Sequence, residues 1–224
     1  MRHVAEAATD GQLAFFEDAL AREYALRHQS RIARLKRQAS FPSQKGFDGF
    51  EWPGIVFPRG FTRDDMPSLA LIGAHEDPVL FGGSGNGKTH TAIALGPLAC
   101  GEGGKVAFWS TAEPVSELRR ANKEGTTQDA LRRLGRCDLI ILDERGYLPT
   151  DPDGARLLFR VVSMRYERIA PILTTNIELS RWGEIFADDD MAKAMMDRIV
   201  HHGRPVTYDR ESHRVKHALM RGEL

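Results

Sequence analysis

The run Gly82-Gly83-Ser84-Gly85-Asn86-Gly87-Lys88-Thr89 satisfies every fixed position of the pattern G-x-x-x-x-G-K-[ST]. The chemistry of that pattern is the binding of phosphate. Glycines let the backbone curl with its N–H groups pointing inward, a nest for anionic oxygens at the start of a helix. A lysine in the place of Lys88 reaches the β- and γ-phosphates of a nucleoside triphosphate, and a hydroxyl in the place of Thr89 holds Mg²⁺. A second pattern supplies the chemistry the first one lacks. Leu139-Ile140-Ile141-Leu142-Asp143-Glu144 is an apolar run that ends in two carboxylates. Asp143 can share the Mg²⁺ with Thr89, and Glu144 can position or deprotonate an attacking water. A third run, Ile172-Leu173-Thr174-Thr175-Asn176, also ends in polar groups, and it places Asn176 beside the γ-phosphate if its strand neighbours the other two.

These residues work only if particular elements hold them. Pro78-Val79-Leu80-Phe81 before the loop reads as a strand, and Thr89 to Leu95 behind it as a helix. From about residue 66 short apolar runs alternate with helical segments. The strands are expected at Val79–Phe81, Val106–Ser110, Leu139–Leu142, Ile172–Thr175 and Val206–Tyr208. Helices are expected at Thr89–Cys100, Glu113–Lys123, Thr127–Arg136, Gly154–Tyr166 and Met191–His202. Continuous apolar strands between helices predict a doubly wound, parallel, five-stranded α/β sheet with its ligand at the carboxyl ends of the strands. Pro97 falls inside the helix after the loop and is expected to kink or end it near Gly96. Ahead of this domain, Gln12 to Gln38 reads as a helix that turns basic from Arg22 onward. Ser40 to Gly54 has the composition of a linker, yet it carries Phe41, Phe47, Phe50 and Trp52, so it is expected to pack against the domain that follows.

The 224 residues are 42% hydrophobic and 28% charged, with Lys+Arg and Asp+Glu both 31. A net charge of zero excludes a global field for nucleic acid, so any such contact must come from local patches. The candidates are the basic helix and the pairs Arg119-Arg120 and Arg132-Arg133. Cys100 and Cys137 are expected as free thiols, and with no membrane-spanning run and no leader-like start the protein is expected in the cytoplasm, with no membrane partner. His201, His202, His213 and His217 cluster in sequence, but without a matching Cys or carboxylate set they read as surface or interface residues rather than metal ligands.

Taken together these stretches resemble the IstB-like ATP-binding proteins, helper ATPases of insertion-sequence transposition related to the DnaC-type helicase loaders in the AAA+ superfamily. The resemblance runs from about residue 12 to the C-terminus. It is carried by Gly82–His90, by Leu139–Pro149, by Arg165-Tyr166-Glu167-Arg168 and by Thr174-Thr175-Asn176. It continues through Trp182-Gly183, Asp197-Arg198-Ile199-Val200-His201-His202 and Ser212-His213-Arg214. It implies a P-loop AAA+ ATPase domain over residues 61–224, behind a helical N-terminal region over 1–60. It also implies nucleotide contacts from Gly82 through His90. By the same resemblance Asn176 takes the sensor 1 position, Arg198 matches an arginine that enters a neighbouring subunit's ATP site, and Arg214 is a sensor 2 candidate.

The activity implied is Mg²⁺-dependent ATP hydrolysis in a homo-oligomer that binds double-stranded DNA and recruits or stimulates a transposase. A DnaC-like loader of a replicative helicase and a non-hydrolysing ATP-binding scaffold are the alternatives. Four positions depart from the family pattern: His213 beside Arg214, Arg145 after Glu144, Asn86 in the loop, where the backbone is expected to do the binding, and Pro97.

Overall fold

The computed structural model describes residues 9–74, 76–144, 152–163, 171–178, 193–194, 197 and 203–213. The Arg165–Arg168 and Trp182-Gly183 blocks, Arg145, Arg198, His201, His202, Arg214 and His217 lie outside the described residues, as does most of the helix expected at 191–202.

Helix α1 (Asp10–Gln38) begins at a reciprocal cap: the Gln12 N–H donates to Thr9 Oγ1 at 3.4 Å, and the Thr9 N–H donates to Gln12 Oε1 at 3.0 Å. Asp10 in its first turn and Lys36 and Arg37 in its last complement the helix dipole. Its apolar positions do not form a core. Leu13, Phe16, Leu20 and Tyr24 are exposed, and of the helix only Leu35 is buried. The helix is seated by its foot, where Arg31 Nη2 donates to the Gly103 carbonyl at 3.2 Å and the Phe108 N–H donates to the Ala39 carbonyl at 3.1 Å.

The segment after α1 packs as its aromatics require. Phe41 meets Phe108 edge to face, and Phe47 stacks on Trp52 with centroids 5.3 Å apart. Phe50 packs edge to face on Trp52 at 4.9 Å, and Phe41, Phe47, Phe50 and Trp52 all lie against the main core cluster. Strand β1 (Ile55–Val56) follows, then a 3-10 turn (Arg63–Asp65) and helix α2 (Ala70–Gly73). The rest alternates: β2 (Asp77–Gly82), α3 (Lys88–Gly101), β3 (Val106–Ser110), α4 (Ala112–Lys123), α5 (Thr127–Leu134), β4 (Leu139–Asp143), α6 (Pro152–Ser163), β5 (Ile172–Thr175) and β6 (Gly203–Tyr208).

Among the described residues the sheet runs β1-β6-β2-β5-β4-β3, six strands rather than the five expected. The five expected strands are parallel to their neighbours, and β1 adds to the edge antiparallel to β6, pairing Ile55 with Tyr208 and Val56 with Thr207. Two residues carry no periodicity, which is why this strand has no sequence signal. Helices cover both sides. Leu139 and Ile141 of β4 join a cluster with α3 residues Ala92, Ile93 and Leu95, while Leu118, Ala130, Leu131 and Val161 join α4, α5 and α6 in a second cluster.

Helix α3 does not end at Gly96 but continues through Pro97 to Gly101. Burial of Gly96, Ala99 and Cys100 holds the last turn in place despite the missing N–H. Gly96 also has a steric reason to be glycine: a Cβ there would lie 2.2 Å from Phe41 Cε1.

At the foot of β2, far from the loop, burial pushes the Asp77 carboxyl up to about 7 from 3.8. A raised carboxyl pKa favours the folded state below its unfolded value, and that contribution is lost as pH rises through about 7. Asp77→Asn is therefore expected to gain stability relative to the parent between pH 5 and pH 8. Solvent screening of this partly exposed group limits the gain to about 1–2 kcal/mol. Urea unfolding at both pH values measures it, and a difference that does not change with pH would refute it.

Candidate functional site

The register of the sheet brings the candidate residues to one edge. Phe81 stands beside Thr175, Asp143 beside Thr174, and Gly82 beside Tyr208, so the carboxyl ends of β2, β4, β5 and β6 open on the same crevice. A cavity of about 850 Å³ occupies it, lined by Ser84 to His90, Glu144 and Asn176 among others. That volume lies within the range of small-molecule sites.

The glycine loop joins β2 to the N-terminus of α3, with Gly82, Gly85 and Gly87 at positive φ. The Lys88 ammonium is buried and donates to the carbonyls of Gly82 and Gly83, both at 2.6 Å. Thr89 Oγ1 donates to Asp143 Oδ1 at 2.7 Å, and Thr174 Oγ1 donates to the same oxygen at 2.6 Å. Asp143 is fully buried. A hydroxyl and a carboxylate in contact beside a phosphate nest are hard oxygen donors of the kind Mg²⁺ takes, with phosphate and water completing its shell. Among the described residues no group of three or more His, Cys, Asp and Glu is placed to hold a metal on its own.

Glu144 extends from the end of β4 toward β5 and is held there. Its Oε2 accepts from Thr175 Oγ1 at 2.5 Å and from the Asn176 N–H at 3.0 Å, while its own N–H donates to the Thr174 carbonyl at 3.2 Å. Among the described residues nothing donates to Oε1, and the side chain lines the cavity. The fold thus brings together Gly82 to Thr89, His90, Asp143, Glu144 and Asn176. Arg198 and Arg214 fall outside the described residues.

His90 is not aimed freely at the cavity: its Nε2 is 2.8 Å from the Gly46 carbonyl and its ring packs on Phe50, tying α3 to the aromatic segment. Asn86 differs from expectation, because its side chain is engaged as well as its backbone. It is buried and its Nδ2 donates to the Tyr208 carbonyl at 3.1 Å, fastening the loop to β6. Tyr208 is fastened in turn, with its hydroxyl donating to Thr91 Oγ1 at 2.7 Å; burial raises its pKa and keeps it a donor. Sequence reasoning missed Arg210, whose Nε donates to the Asn86 carbonyl at 2.7 Å. A lone arginine after a strand carries no signal of its own. Cys100 and Cys137 are thiols that form no disulfide, and no helix among the described residues is long and apolar enough to cross a membrane.

A family model described as IstB-like ATP binding protein matches residues 2–220. The ATP-binding protein of insertion sequence IS21 from Pseudomonas aeruginosa is 36% identical over 209 residues, 92% of this chain and 78% of that protein. Its counterpart in insertion sequence IS232 from Bacillus thuringiensis subsp. berliner is 34% identical over 197 residues, 87% of this chain and 78% of that protein. Among solved structures, AMPPCP-bound DnaA from Aquifex aeolicus superposes with a TM-score of 0.61 at 19% identity, over 83% of this chain and 57% of that one. The DnaC helicase loader superposes with a TM-score of 0.50 at 22% identity, over 60% of this chain and 78% of that one. At these identities the structures speak for the fold alone, a P-loop α/β domain of the kind found in DnaA and the DnaC loader.

Proposed function

The chain belongs to the IstB-like ATP-binding protein family, and from that premise we propose that it is an ATP-hydrolysing, DNA-binding helper of transposition that recruits or stimulates a transposase at target DNA. The observation that carries the hydrolytic part is the arrangement of β4 against β5. Thr89 and Asp143 meet at 2.7 Å beneath the glycine loop, and among the described residues Glu144 is held through one carboxylate oxygen.

In this reading the loop N–H groups and Lys88 would hold the triphosphate, and Thr89 and Asp143 would hold Mg²⁺, which would neutralise charge on the phosphoryl oxygens. Glu144 takes a proton from water through the oxygen that Thr175 and Asn176 leave open, and Asn176 orients that water. Arg198 completes the site of a neighbouring subunit, and Arg214 acts as sensor 2. Hydrolysis then resets an assembly that ATP favours. The boundary between a helical N-terminal region, 1–60, and the ATPase domain, 61–224, belongs to the same proposal. The likeness to the DnaC loader rests on fold alone, so the transposition reading is preferred on the insertion-sequence relatives.

For DNA, ion pairing separates the candidate patches. Arg120 pairs with Glu124, Arg132 with Asp129 and Arg133 with Glu117. On α1, Arg34, Lys36 and Arg37 are exposed and have no carboxylate partner among the described residues. The test is ATP hydrolysis and duplex binding measured together. We expect Mg²⁺-dependent hydrolysis that duplex DNA stimulates. Binding that uses three such cations should weaken more than about tenfold between about 50 and about 200 mM salt. Replacing Arg34, Lys36 and Arg37 with Gln should flatten that salt dependence while leaving ATP affinity unchanged. Absence of hydrolysis with and without DNA, or duplex binding indifferent to salt, would overturn the reading.

A further inference from the structure

Beyond β6 the chain folds back over the glycine loop. The Asp209 N–H donates to the Gly54 carbonyl at 2.8 Å, and the His213 N–H donates to the Gly85 carbonyl at 3.0 Å. Between these two anchors stands Arg210. Its Nε donates to the Asn86 carbonyl at 2.7 Å and its Nη1 to the Glu51 carbonyl. The guanidinium lies over the rings of Phe50, 5.1 Å from the centroid, and Tyr208, 5.8 Å. Its Nη2 presses on Gly87, where a Cβ would come within 2.3 Å of it. Arg210 lines the same cavity as the glycine loop.

The partners of this cation are neutral. Two carbonyls and two ring faces accept from it, yet among the described residues no carboxylate pairs with it and no acceptor stands at Nη2. Carbonyl dipoles orient a guanidinium without neutralising it. A half-buried cation with unspent planar donors, facing a loop shaped for anions, is completed by phosphate oxygens, which match the guanidinium fork. We propose that Arg210 is a further nucleotide-binding residue, which donates to the phosphate chain of bound ATP. This assignment rests on the reading of the cavity as the ATP site and adds to it a cation supplied from beyond β6. The same side chain holds the Glu51 carbonyl, so the phosphate contact also fixes the aromatic segment that leads back to α1.

The test separates phosphate from nucleoside. Binding of ATP is measured directly, and inorganic triphosphate and adenosine are measured as competitors, for the parent, Arg210→Gln, Arg210→Lys and Lys88→Ala. For Arg210→Gln, ATP and inorganic triphosphate are expected to weaken together by tenfold or more, with adenosine unchanged. Arg210→Lys, which keeps the charge and loses the fork, is expected to recover part of that loss. Should Arg210→Gln fail to fold, the Lys variant decides alone: a loss confined to the phosphate ligands supports the assignment. Unchanged triphosphate binding, or adenosine weakened as much as ATP, would overturn it. A parent that does not bind ATP, or a Lys88→Ala variant that binds it as the parent does, would overturn the reading of the cavity along with it.

Discussion

Glu144→Gln is expected to bind ATP as the parent does and to hydrolyse it about 10²–10⁴ times more slowly, the usual contribution of a positioned general base. The substitution suits this site because it changes almost nothing else. The bonds that hold Glu144 run from Thr175 Oγ1 and from the Asn176 N–H into one carboxylate oxygen. A glutamine carbonyl oxygen accepts both, so the side chain should stay where it is. What is lost is the ability to take a proton. A single-turnover measurement with ATP in saturating amounts separates chemistry from binding. Parent-like turnover would remove Glu144 from the mechanism. A loss of ATP affinity equal to the loss of rate would instead assign it to binding. Mixed with subunits that carry Arg198→Ala, the Glu144→Gln chain should restore part of their hydrolysis if Arg198 acts across a subunit boundary. No rescue at any ratio would count against a shared site.

What the sequence discloses about this site, and what it withholds, follows from how local each signal is. The glycine loop and the Asp143-Glu144 pair are short and contiguous, and each needs its residue types at fixed spacing for a chemical reason, so both are plain in the bare sequence. The five parallel strands are legible because a strand buried on both faces must be apolar throughout, as β4 is up to its terminal carboxylate. The missed features all depend on contacts distant in the chain. The side chain of Asn86 reaches the backbone of Tyr208, 122 residues away, and Arg210 reaches Asn86 across 124. No pattern within one segment encodes such pairs, and one arginine among 31 basic side chains does not announce itself. Strand β1 is too short to show a period, and it exists because β6 offers an edge to pair with. At Pro97 the local rule meets packing: the helix does not end near Gly96 but runs on to Gly101, with Gly96, Ala99 and Cys100 buried.

The same distinction gives the second large effect, inside the loop itself. Gly82 and Gly83 are adjacent and chemically identical, yet Gly82→Ala is expected to cost about 3–5 kcal/mol of folding stability and Gly83→Ala less than about 1 kcal/mol. Gly82 has φ +146°, a conformation that residues with a side chain rarely adopt, and its Cβ would lie 2.5 Å from the Tyr208 carbonyl oxygen and 2.9 Å from Tyr208 Cβ. Those atoms belong to β6, which is hydrogen-bonded to β2 along its length and cannot withdraw without opening the sheet. At Gly83 φ is unexceptional, and the atom a Cβ would meet first is Asn86 Nδ2 at 3.2 Å, the end of a side chain that can shift by a few tenths of an ångström. Urea unfolding of the two variants measures the contrast. ATP binding adds a second readout, because Gly82→Ala should lose it together with the seam between loop and β6, whereas Gly83→Ala should keep it within about tenfold. Equal stability losses in the two variants would mean that the loop is not clamped against β6. The Asn86–Tyr208 bond and the Arg210 contact would then be ornaments of the surface and not the frame that shapes the phosphate nest.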